Sequence, residues 1–307
     1  MKPQIPEGSN SGGRYVSDVL EGLLGASETR AALRAYCVAM LDDVGQPLSS
    51  QLESIAAYVG GKCMGYPAVW FLECLLAETG TTREALIERA RATIAVSLST
   101  SIVDDLADGD EPFSSAYLAF LYVLIGHAAF VDCAPDARAS SELYRALEIC
   151  LNPHASIASD AIVRRGERIG AFFRLIAGSV LDGLWPEERV RVAIAATGAF
   201  GEICAHIDDW MDAERDFARG VEDNVVLVLL RERVAPQRPT ASDIARNRAW
   251  LRDALGAMLM RRVTEIAGML KPLETHYAID ALSRVLLRLP ATLDQIPFRS
   301  RTVLRSV

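Results

Sequence analysis

The stretch Gly198-Ala199-Phe200-Gly201-Glu202-Ile203-Cys204-Ala205-His206-Ile207-Asp208-Asp209-Trp210-Met211-Asp212-Ala213-Glu214-Arg215-Asp216 decides how this chain reads. Its first half is small and apolar, with the spacing of a buried helix. Its second half sets Asp208, Asp212 and Asp216 at i, i+4 and i+8, a single column of carboxylates with Asp209 flanking it. Like charges four apart on a helix repel, and burial raises the cost. Negative oxygen concentrated at so costly a place points to cations that need it.

A second acidic run stands upstream: Asp104-Asp105-Leu106-Ala107-Asp108-Gly109-Asp110. Asp104 and Asp108 share a helix face, with Asp105 beside them, and Ser97, Thr100 and Ser101 extend a small polar strip toward the same region. Mg²⁺ takes oxygen ligands, keeps several waters and uses one or two carboxylates plus phosphate oxygens. Two acidic walls across a helical cavity would hold a diphosphate through such ions. One acidic run alone reads as a solvated helix end, where Asp drifts naturally. Two, each closing an apolar helix, favour the metal reading. Arg164, Arg165 and Arg168 cluster on one segment, and arginine suits phosphate through its planar fork. Pairing with nearby acids accounts for these three equally well, and is the simpler account of Arg174, Arg215 and Arg219.

The rest of the chain reads as helix. The apolar spacing predicts helices over 15–24, 28–41 and 49–59, a turn at Gly60-Gly61, and a helix over 67–78. Thr81-Thr82-Arg83-Glu84 has capping-box character for a long helix to about Asp105. Further helices are predicted over 113–130, 139–150 and 156–184. Pro186 suits the first turn of the helix that carries 193–205 into the second acidic run. Pro236 and Pro239 mark a loop, and helices over 242–270 and 275–289 close the chain. No alternating run supports a strand. The expectation is an all-α, single-domain bundle over residues 15–307 behind a disordered lead at 1–14.

Of 307 residues, 50% are hydrophobic and 23% charged, enough for a large core. A net charge of −8 with no basic tract argues against nucleic acid as a partner. The six cysteines, Cys37, Cys63, Cys74, Cys133, Cys150 and Cys204, include no CxxC pair and read as buried free thiols of a reducing, cytoplasmic compartment. No membrane span is expected: the apolar stretch 116–131 is short of the roughly 20 residues required, and His127 interrupts it. The four histidines lack ligand spacing. No nucleophile elbow supports a hydrolase.

At this point the residues resemble a family. The segment Ser101-Ile102-Val103-Asp104-Asp105-Leu106-Ala107-Asp108-Gly109-Asp110 resembles the first aspartate-rich motif of polyprenyl diphosphate synthases, and 198–216 resembles the second. Gly60-Gly61-Lys62 with Pro67 is similar to that family's N-terminal Gly-Gly-Lys element. Arg168-Ile169-Gly170-Ala171-Phe172-Phe173 resembles its Lys-Thr segment. The resemblance covers roughly residues 50 to 225. It implies the class I isoprenoid synthase superfamily: an all-α fold with a central cavity that binds an allylic diphosphate through Mg²⁺, three ions by that likeness, and ionises it. It also implies a possible homodimer.

The departures narrow the expectation. Cys63 and Gly65 stand where chain-elongating enzymes place the arginines that hold isopentenyl diphosphate, leaving Lys62. Glu111-Pro112-Phe113 replaces Arg-Arg-Gly, Arg168-Ile169 replaces Lys-Thr, Cys204-Ala205 replaces Phe-Gln, and Gly220-Val221 replaces Gly-Lys. The ionising half is kept and the half for a second diphosphate is stripped. The first expectation is therefore a terpene synthase acting on one prenyl diphosphate, farnesyl or geranylgeranyl. The spacing of Asp208, Asp212 and Asp216 looks like the metal triad of terpene cyclases, and Arg164–Arg165 lies at a separation like that of their diphosphate-sensing arginine. The alternatives are a prenyltransferase with an acceptor other than isopentenyl diphosphate, a polyprenyl diphosphate synthase-like protein, or a non-catalytic subunit. The last is disfavoured by both clusters being kept. The expected roles are metal binding by Asp104, Asp105, Asp108, Asp208, Asp209, Asp212 and Asp216. Diphosphate binding falls to Arg164, Arg165, Arg168, Lys62 and Arg215, with Asp104, Asp105, Asp208 and Arg168 as the catalytic set. Phe172, Phe173, Trp70, Thr100 and Ser101 are the pocket candidates, joined by Tyr66 and Trp210 as aromatic faces for a cation. Each aromatic alone is more simply core.

Overall fold

The computed structural model describes residues 16–42, 58–61, 65–108, 116–133 and 161–296. Among these residues the chain is all-α, with no strand. The helices are α1 (Val16–Leu24), α2 (Ser27–Asp42), α3 (Tyr66–Leu76), α4 (Arg83–Arg89), α5 (Arg91–Asp108), α6 (Ala116–Cys133), α7 (Ala161–Leu181), α8 (Glu187–Arg219), α9 (Val225–Val234), α10 (Ala241–Arg246), α11 (Arg248–Leu270) and α12 (His276–Gln295). The predicted helix over 139–150, most of that over 49–59 and the lead at 1–14 lie outside the described residues.

Helix α8 is the axis of the fold. Pro186 precedes it, Glu187 and Glu188 complement its positive end, and Gly220 at φ 74° closes it in the left-handed conformation. Its 33 residues span roughly 50 Å at about 1.5 Å per residue. It packs on α7, α11, α9, α3, α10 and α1. By length and composition it would cross a membrane, but 67% of its apolar window is buried inside the fold. That is the signature of a core helix.

Small residues bring α7 and α8 together. A Cβ on Gly170 would lie 2.8 Å from the Gly198 carbonyl, and one on Gly201 would lie 2.5 Å from the Phe173 ring. Only glycine permits that approach. The same device joins α5 to α6, where a Cβ on Gly126 would lie 2.9 Å from the Ala92 carbonyl. Around Phe200 an aromatic core forms, with Phe71 stacked at 4.7 Å, Trp70 at 5.6 Å and Phe173 at 6.3 Å between ring centroids.

The structure corrects four details of the predicted helices. The long helix to Asp105 is two, α4 and α5, jointed at Ala90. Arg89 donates to the carbonyls of Val180 (2.7 Å) and Asp182 and pins α4 to the end of α7. Residues 242–270 likewise divide at Asn247, into α10 with its Thr240–Asp243 capping box and α11. Gly60 and Gly61 are helical and make no turn, standing within the described helical residues 58–61. Helix α9 was not expected at all. It starts at Asn224, whose side-chain carbonyl accepts from the N–H groups of Val226 (2.9 Å) and Leu227 (3.3 Å).

Candidate metal and diphosphate site

Helix direction sets where the charged motifs lie. Arg89, directly before α5, meets the last turn of α7, and Gly65 lies between Ile94 of α5 and Ile176 of α7. Helices α5 and α7 are therefore antiparallel. Gly166 faces Glu202 and Gly170 faces Gly198, so α7 and α8 are antiparallel too. Helices α5 and α8 then run the same way, so the C-terminal turns of both point toward the end of the fold where α7 begins; α8 passes that level near Ile207 and runs on to Arg219. The last turns of α5 carry the backbone of Asp104, Asp105 and Asp108. The C-terminal part of α8 carries Asp208 to Asp216. The first turns of α7 carry Arg164, Arg165 and Arg168. Lys62 and the side chains of Asp104, Asp105, Asp108, Arg164 and Arg165 lie outside what is described.

On α8 the acidic column is mostly buried. Asp208 is half-buried, while Asp209, Asp212 and Asp216 are buried at 0%, 3% and 6% exposure. The Asp209 carboxylate accepts from the Val225 N–H at 2.9 Å, at the positive end of α9. The Asn224 amide donates to the Asp209 carbonyl and to the Asp216 carboxylate, both at 2.9 Å. Asp209 thus shares a face with Asp216, seven residues on, and does not merely flank the column. A helix returns to nearly the same angle after seven residues, which explains the pairing. His206 Nδ1 lies 4.0 Å from the Asp209 carboxylate, inside the fold.

Of the described arginines, Arg215 meets this cluster and Arg168 the loop beside it. Arg215 donates to Asp212 at 2.5 Å and approaches Asp216 at 3.9 Å. Arg168 reaches from α7 to Asp223 at 3.4 Å, in the loop that follows α8. Arg174 lies over Gly198 and donates to the Glu167 carbonyl at 3.3 Å, a packing role. Thr100 and Ser101, on α5 below Asp104, are half-buried and donate back to the carbonyls of Val96 (3.0 Å) and Ser97 (3.1 Å). Phe172 and Phe173 are buried on α7, and Trp70 and Phe173 pack on Phe200. Tyr66 and Trp210 are wholly inside the core.

The donor chemistry fits Mg²⁺, since every candidate ligand is a hard carboxylate oxygen. Among the described residues no three His, Cys, Asp or Glu side chains gather closely enough to hold an ion alone. Mg²⁺ does not require three: it combines one or two carboxylates with water and phosphate oxygens. Asp208 and Asp212, four apart on α8, offer such a pair. Sequence reasoning missed Asp223 and Asn224. The signal for Asn224 was present, a good N-cap residue before the apolar run 225–230.

Compared with protein-family models, curated proteins and solved structures, the chain finds no match in any of the three.

Proposed function

We propose that this protein is a Mg²⁺-dependent class I terpene synthase that ionises one allylic prenyl diphosphate, farnesyl or geranylgeranyl, and releases diphosphate. The observation that supports the reading is a shared direction: the helices that carry the two acidic stretches run parallel, toward the end of the fold where α7 begins with its arginines. Asp208 and Asp212 of α8, with Asp104, Asp105 and Asp108 of α5, would hold the metal. Mg²⁺ bound there would act as a Lewis acid and neutralise the leaving diphosphate.

The chain's own residues do the remaining work. Asp209 and Asp216, tied to Asn224 and the start of α9, fix the rotation of the α8 column. Arg168 and Arg215 now neutralise Asp223 and Asp212, and a diphosphate would draw their forks into charge-assisted bonds. As the allylic C–O bond breaks, its electron pair leaves with the diphosphate oxygen. Buried Phe172 and Phe173 supply an apolar environment for the carbon chain. The cation then cyclises and passes a proton to the departed diphosphate or to water, or it is captured by water, whose extra proton goes to the same acceptors. Cys63 and Gly65, in place of arginines, support a single bound diphosphate, which favours this reading over chain elongation. The buried thiols Cys37, Cys74 and Cys204 support a reducing, cytoplasmic setting, and a homodimer belongs to the same proposal.

Incubation of the purified chain with Mg²⁺ and prenyl diphosphates of increasing length tests this. A hexane-soluble hydrocarbon or alcohol from one diphosphate is expected. Asp104→Ala, Asp105→Ala and Asp208→Ala should each lower turnover by about a hundredfold or more. Release of diphosphate only on adding an acceptor would replace the synthase with a prenyltransferase. Longer prenyl diphosphates on adding isopentenyl diphosphate would overturn both.

A further inference from the structure

A cleft of about 590 Å³ lies between the α1–α2 turn, α3 and α12. That is within the range of about 300–1,000 Å³ usual for small-molecule sites. Its lining on α12 runs from Tyr277 to Arg288, and it includes no residue of α5, α7 or α8. None of the acidic-stretch residues borders it.

Three arginines and two glutamates line the cleft: Arg83, Arg284 and Arg288 against Glu28 and Glu73, a lining charge of 3 − 2 = +1. The whole chain carries −8. Glu73 is already engaged, accepting from Thr29 at 2.5 Å and from Arg83 at 2.6 Å. Glu28 meets Arg83 at 3.5 Å with its side chain 87% exposed. Arg284 and Arg288, four apart on α12, are like charges at a spacing that repels. Arg288 donates to the closing carbonyls of α1, Gly22 (3.5 Å) and Leu23 (3.3 Å), which bring no formal charge. Arg284 meets Asp280 at 3.4 Å. That carboxylate is 78% exposed and does not line the cleft, and so exposed a pair holds Arg284 only weakly. A guanidinium has five N–H donors, so both arginines keep donors for a ligand. Gly25, at φ +68°, leaves the room: a Cβ there would lie 3.0 Å from Arg288 Nη1. Beside this cationic pair, Trp70, Leu24 and Ala77 give the cleft an apolar wall.

We infer that this cleft binds a small organic anion, its carboxylate head between Arg284 and Arg288 and its apolar body against Trp70, Leu24 and Ala77. The site is separate from the proposed diphosphate site and does not depend on it.

Calorimetric titration of the full chain with octanoate tests the inference, with octanol and inorganic phosphate as body-only and head-only probes. Saturable binding of one octanoate per chain is expected, tighter than either partial probe. Arg284→Gln should weaken it by about tenfold or more, the loss of one charged hydrogen bond, at an unchanged thermal midpoint. Ala77→Phe, which fills the apolar wall from an exposed position, should abolish it. Absence of octanoate binding at millimolar concentration, equal binding by Arg284→Gln, or octanol binding as tightly as octanoate would each overturn it.

Discussion

Asn224 does three things at once. It caps α9, bonds the Asp209 carbonyl and satisfies the buried Asp216 carboxylate. Asn224→Ala removes a cap and leaves a buried carboxylate short of a donor. It should cost about 2–4 kcal/mol, read as a lower urea midpoint. The acidic columns were evident in the sequence because charge at helical spacing is a local signal. The role of Asn224 was not, because its partners lie up to 15 residues away across a chain reversal. Cys74 carries a second residue-scale consequence. Burial, helped by nearby Glu73, pushes its thiol from 9.0 up to about 12. A value raised by folding stabilises below the unfolded value, and that contribution fades as pH climbs toward the folded one. Cys204 and Tyr36 are raised by burial as well. Denaturation between pH 9.0 and about 12 should therefore show a steeper loss of stability for the wild-type chain than for Cys74→Ala.

Among the elements, the α7–α8 crossing holds the layer together through backbone proximity. Gly170→Ala places a methyl 2.8 Å from the Gly198 carbonyl, a backbone atom that cannot swing aside. It should destabilise by about 1–3 kcal/mol in chemical denaturation. Gly268, inside α11 with nothing within 4 Å of its position, should behave oppositely. Gly268→Ala should stabilise by about 0.4–1 kcal/mol, because it narrows only the unfolded ensemble. Most of the helices could be read from apolar spacing, since each buries one stripe. Their joints could not. Ala90 breaks a continuous helical pattern where Arg89 is held by carbonyls more than 90 positions away, and no local residue announces it. Helix α9 was hidden for another reason: Val225-Val226-Leu227-Val228-Leu229-Leu230 is continuously apolar, half of it β-branched valine, and has no helical period.

For the whole molecule, the proposed function requires that two acidic stretches serve one ligand. They are separated by about a hundred positions in sequence, yet antiparallel packing of α5 and α8 on α7 brings their helix ends to one side. If both hold the same diphosphate, either alone should fail. The most direct measurement is calorimetric binding of a non-ionising farnesyl diphosphate analogue to wild type, Asp104→Ala and Asp208→Ala, with and without Mg²⁺. The account predicts one analogue per chain, binding only with Mg²⁺, and loss of that binding in both variants. Binding that ignores Mg²⁺, a second equivalent diphosphate per chain, or wild-type affinity in either variant would contradict it.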